Sequence, residues 1–109
     1  MRLSVNKDVH ALHALIKSYY DAYNIIHDAR INEETYLMIV EKFFFRNSSR
    51  ASLTILLTTD DFNTNVEIVG SGGGQGLLFK FDWGAKEAFE RGVIKILTQN
   101  DIPFKIIKE

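Results

Sequence analysis

The chain is 109 residues long, has no cysteine, and sets 13 Lys and Arg against 14 Asp and Glu for a formal charge of −1. With 46% hydrophobic and 25% charged residues it buries enough apolar surface to offset ordering entropy, and it reads as one domain over residues 1–109. These figures exclude a disulfide scaffold, a thiol nucleophile and cysteine-ligated metal centres, and a near-neutral chain has no global field to hold nucleic acid or an anionic bilayer.

Residues 2–5 predict a short strand. Asn6 is a fair N-cap for a helix over roughly 7–21, because Val9, Leu12, Ile16, Tyr19, Tyr20 and Tyr23 fall at helical spacing. Residues 24–31 fit two readings. Ile26 and Ala29 extend the helical stripe, while Ile25, Ala29 and Ile31 fit one face of a strand. The strand is preferred, since Asn32-Glu33-Glu34 then turns the chain into the next run.

That run, Tyr36 to Arg46, is dense in aromatic and branched residues and is the clearest strand. Its end is apolar on both faces, with Phe43 and Phe45 pointing one way and Phe44 the other. After a turn at Asn47-Ser48-Ser49, residues 50–59 alternate Leu53, Ile55 and Leu57 against Thr54, Leu56 and Thr58. Asp60-Asp61-Phe62-Asn63 turns the chain again, and Val66, Ile68 and Gly70 mark a further strand. Gly70 to Gly76 holds five of the seven glycines and reads as a loop before a strand from Leu77 to Phe81.

Asp82 caps a second helix over roughly 84–98, with Ala85, Ala88, Phe89, Val93, Ile96 and Leu97 as its apolar stripe. Gly92 within it suggests close packing on the sheet. Phe104, Ile106 and Ile107 predict a short edge strand that opens at Pro103, where a missing donor is harmless. The fold class is α+β: an antiparallel β-meander sheet with two helices packed on one face.

The glycine segment invites a phosphate-binding reading, because amides without side chains can cradle an anion. The specific templates fail. No Gly-Lys-Ser/Thr follows, and Gln75 stands where the third glycine of a dinucleotide fingerprint belongs. The plainer reading is a wide connection that needs several positive φ angles. Meander topology nevertheless brings the 47–49 turn and the 70–76 loop to one edge of the sheet. Arg46, Ser48, Ser49 and Arg50 then face Ser71, Gly72, Gly73, Gly74 and Gln75. Guanidinium groups, hydroxyls and fixed amides together form anion-site chemistry; the alternative is two solvated arginines at a hairpin end.

Other motifs favour structural roles. Asp82 and Trp83 read as a cap and a packing residue. His10 and His13 share a helix face, but no third metal ligand is evident. Ser71 lacks the spacing of a nucleophile elbow, and Glu41-Lys42-Phe43-Phe44-Phe45-Arg46 lacks the glycines of an RNA-binding sheet. No cofactor is implied. Runs such as Ile55-Leu56-Leu57 are too short to span a membrane, and residues 1–5 lack the apolar core of a signal peptide, so a cytoplasmic protein is expected.

Three runs, Glu41 to Thr54, Gly70 to Gly76 and Phe81-Asp82-Trp83-Gly84-Ala85, resemble a family of small bacterial proteins known as a domain of unknown function. The resemblance covers roughly residues 35–97. It implies a small cytosolic bacterial protein with an α+β fold and supplies no activity and no site residues. The residues themselves therefore set the functional expectation. The first reading is a non-enzymatic module that self-associates through its sheet. The second is a binder of a small phosphate-bearing anion at the Arg46/Arg50 turn and the glycine loop.

Overall fold

Alternation along one strand organises the molecule. Leu53, Ile55 and Leu57 are fully buried, whereas Leu56 between them is 36% exposed. The structure, a computed structural model, describes residues 1–44, 49–73 and 83–109. Its strands are β1 (Arg2–Val5), β2 (Ile25–Asn32), β3 (Thr35–Phe44), β4 (Ser49–Asp60), β5 (Asn63–Gly73) and β6 (Phe104–Lys108). Its helices are α1 (Val9–Ser18) and α2 (Trp83–Gln99), and one 3₁₀ turn, Ala22–Asn24, leads from α1 into β2.

The six strands form one sheet in the order β2-β3-β4-β5-β1-β6, and every neighbouring pair is antiparallel. β2 to β5 are the expected meander. The N-terminal strand β1 then lies between β5 and the edge strand β6. Register places Met38 opposite Ile55 and Ile55 opposite Ile68, so the buried side chains of successive strands share one face. Val9, Leu12 and Ile16 of α1 and Val93, Ile96 and Leu97 of α2 close over that face in a single core. Each such side chain contributes about 1.5–3 kcal/mol, more than an exposed ion pair, so this core sets the stability.

Residues 25–32 form the preferred strand and not the helical extension. Several other boundaries differ from expectation. The first helix starts at Val9, capped by Asp8 and not Asn6: the Asp8 carboxylate accepts from the Ala11 N–H at 3.0 Å. The Asn6 N–H is committed to the Pro103 carbonyl across the sheet edge. The helix also ends at Ser18, and Tyr23, the last residue of the apparent stripe, is 82% exposed. The strand expected around 66–70 runs from Asn63 to Gly73, so the first part of the glycine segment is strand and not loop. Backbone pairing needs no side chain, and β4 supplies a full set of partners there. The expected strand at Leu77 to Phe81 and the Asp82 cap lie outside the described residues, as does the packing of Trp83.

The close packing expected at Gly92 is not seen against the described residues: a Cβ built there meets only the Tyr20 hydroxyl among them, at 3.9 Å. The second helix ends as Asp101 enters the left-handed region at φ 54°, with the Ile102 N–H bonded back to the Leu97 carbonyl at 3.0 Å.

Gly70 lies in a tight contact with α2. β1 runs out at Met1, whose backbone bonds both the N–H and the C=O of Ile68. Two residues on, the Gly70 N–H donates instead to Glu90 Oε2 of α2 at 2.8 Å. The Glu90 carboxylate takes the place of a strand, and Glu90 is 8% exposed. A Cβ on residue 70 would lie 3.1 Å from Glu90 Cγ. Replacing Glu90 by Leu leaves a buried N–H unpaired and is expected to cost about 1–3 kcal/mol by urea denaturation. Glu90→Gln keeps an acceptor and should lose clearly less.

Candidate functional site

The β4–β5 ladder brings the described part of the predicted anion site to one end of the sheet. Arg50 lies opposite Gly73, Ala51 opposite Gly72, and Ser52 opposite Ser71. Ser49 begins β4 opposite Phe44 of β3. Alternation then divides the set. Arg50 and Ser71 belong to the face away from the helices, and Gly72 to the helix face. Arg46, Ser48, Gly74 and Gln75 lie outside the described residues.

Two neighbours that the sequence reading missed complete this end. Arg50 Nη1 donates to Glu41 Oε1 at 2.8 Å, and its guanidinium carbon sits 5.9 Å from the centre of the Phe43 ring. The hydroxyls of Ser52 and Ser71 share a hydrogen bond of 2.8 Å. Glu41 was legible in principle: it stands two residues before Phe43, on the same face of the strand. An anion arriving at Arg50 must therefore compete with a carboxylate already in place.

Away from that end, the open face becomes apolar. One cross-strand row runs Ala29, Leu37, Leu56 and Glu67, and the next runs His27, Ile39, Thr54 and Val69. Leu56 is 36% and Val69 51% exposed, and Leu37 and Ile39 are half-buried. At its margins Arg2 pairs with Glu67 at 2.9 Å and Arg50 with Glu41. The Arg2 hydrogen bond holds the Glu67 carboxyl below its ordinary value, against slight burial that acts the other way.

The histidines expected to be ordinary residues have specific partners on the helix face. His10 Nδ1 and the Tyr36 hydroxyl share a hydrogen bond of 2.8 Å. The His13 ring stacks on Tyr36 with centroids 4.0 Å apart, and its Nε2–H donates to Asp28 Oδ1 at 2.7 Å. Lys17 Nζ reaches the other oxygen of Asp28 at 2.9 Å. Among the described residues, no group of three or more His, Cys, Asp or Glu is placed to hold a metal ion.

Partial burial works to raise the Asp28 carboxyl, but the hydrogen bonds from Lys17 and His13 outweigh it, and its pKa is lowered from 3.8. A carboxyl with a lower pKa folded than unfolded adds stability above the unfolded value and loses it as pH falls through the folded one. Asp28→Asn should therefore cost no more than about 1 kcal/mol near neutrality, since the site is partly solvated. In a series of melting temperatures against pH, the gap between Asp28→Asn and wild type should close below pH ~4.

Among the described residues, no helix is long and apolar enough to cross a membrane. A family model described as a family of unknown function (DUF6054) matches residues 5–101. No curated protein and no solved structure matches the chain.

Proposed function

The chain belongs to this family of unknown function, whose model spans nearly its whole length, and from that premise we propose that it is a non-enzymatic module that pairs with a second copy of itself through the open face of its sheet. The observation that carries the reading is the pair of apolar rows through Leu37, Leu56, Ile39 and Val69, on the face opposite the helices. Soluble chains rarely leave such a patch in water without a use for it.

A second copy suits this face because its charges are already matched. Arg2 with Glu67 and Arg50 with Glu41 neutralise one another at the margins, so two identical faces meet without like-charge repulsion. A two-fold axis in the plane of the contact through Leu56 and Val69 sets each of these side chains against its own copy. The reading goes with a bacterial protein of the cytoplasm. Sedimentation velocity is expected to give a dimer at micromolar concentration, with little salt dependence. Leu56→Lys and Val69→Lys should each yield a monomer with an unchanged or higher melting temperature. A wild type that stays monomeric at millimolar concentration would remove the reading.

One observation supports a second reading, a site for a phosphate-bearing anion. Register sets Arg50 beside Gly73 and Ser71 at the end where the Arg46, Ser48, Ser49, Gly72, Gly74 and Gln75 set was anticipated. Millimolar phosphate, pyrophosphate or nucleotide should then raise the melting temperature by mass action. Arg46→Ala/Arg50→Ala should lose the shift, and Glu41→Gln, which releases Arg50, should enlarge it. An equal shift in all three proteins would count against this site.

A further inference from the structure

On the helix side of the sheet, beside the end of β3, the elements leave a gap. β2 pairs with β3 only as far as Ile25 opposite Val40, so Glu41 and Lys42 continue past its end. The chain reaches β2 from α1 through the 3₁₀ turn, and α2 crosses above. Between them lies a cleft of about 420 Å³, within the size range of small-molecule sites, about 300–1,000 Å³.

Its lining is mixed in a consistent way. Tyr19, Tyr20 and Phe89 present aromatic rings, and Val40 and Ala88 add aliphatic surface. Gly92 lines the side of α2 that faces this space, where a Cβ would stand 3.9 Å from the Tyr20 hydroxyl. The Tyr19 hydroxyl accepts from Asn100 Nδ2 at 2.8 Å, which anchors that ring from outside. The Tyr20 hydroxyl, by contrast, bonds no described residue. Burial raises its pKa above the ordinary 10.0, so it stays a neutral donor across the physiological range. Asp21 and the Asn24 amide add acceptors. Asp21 and Glu41 stand against Lys42 in the lining, and Arg50 pairs with Glu41 from outside it, so the charges balance and the cleft selects for no net charge.

We propose that this cleft binds a small, uncharged, planar aromatic or heteroaromatic molecule that carries N–H donors. The ring lies among Tyr19, Tyr20 and Phe89, its N–H groups face Asp21 and Asn24, and the Tyr20 hydroxyl donates to a ring nitrogen. The assignment does not rest on pairing through the sheet face, although Glu41 borders both.

The test is titration of the full ¹⁵N-labelled chain with adenine, 2-aminopyrimidine and, as a non-planar probe, cyclohexanol. Saturable shifts of the Gly92, Phe89 and Asn24 amides are expected with the two planar probes and not with cyclohexanol. Tyr20→Phe should weaken binding about tenfold, as for loss of one hydrogen bond. Gly92→Leu, which fills the opening, should abolish it. No saturable shift at these amides with either planar probe would overturn the assignment. So would equal binding of cyclohexanol, or planar-probe affinity unchanged in both variants.

Discussion

Strand register depends on one constraint: Leu53, Ile55 and Leu57 must all point beneath the two helices. Side chains alternate with period two, so a one-residue slip of β4 would send all three into water. Losing even one of them to a smaller residue typically costs about 2–5 kcal/mol, comparable with the whole stability of a small domain. Register against β3 and β5 is therefore not negotiable. It fixes, without further choice, which residues share the open face and which lie at its ends. Arg50 opposite Gly73 and Ile39 beside Thr54 and Val69 are consequences of burying three aliphatic side chains elsewhere.

The same constraint explains where the fold leaves groups unsatisfied by strands. β5 is longer than β1, so its backbone outruns its neighbour past Ile68, and a buried carboxylate from α2 is recruited to Gly70. β3 is longer on one side than β2, so its end borders open space roofed by α2 and by the end of α1. Unequal strand lengths thus create both a cap and a cleft. Neither needs an insertion or a special loop.

The open face and the cleft lie on opposite sides of the sheet and have different chemistry. The face is flat, apolar and neutralised at its margins, which suits a broad protein contact. The cleft is concave and aromatic, with a few acceptors and one neutral donor, which suits a small ring. The His10, His13, Tyr36 and Asp28 network sits apart from both, and its hydrogen bonds, ion pair and ring stacking tie α1 to β2 and β3. Its histidines are accounted for as structural ties between elements.

Local pattern was enough to read most elements from the sequence. Period-two alternation marked β4, aromatic density marked β3, a 3.6-residue stripe marked both helices, and Pro103 marked the start of an edge strand. It was also enough to anticipate an antiparallel meander with both helices on one face. Helix ends were misjudged because Tyr19, Tyr20 and Tyr23 continue the spacing of a helix whose hydrogen bonds have already stopped. The first part of the glycine segment was misjudged because a strand's pairing depends on its neighbour's backbone and not on its own side chains. What only the tertiary structure decided is which distant residues meet: Glu90 with Gly70, His13 with Asp28, and Tyr20 with the space beside Gly92. Those meetings follow from strand order, strand length and register together. These are properties of the assembled sheet, and no local window of sequence contains them.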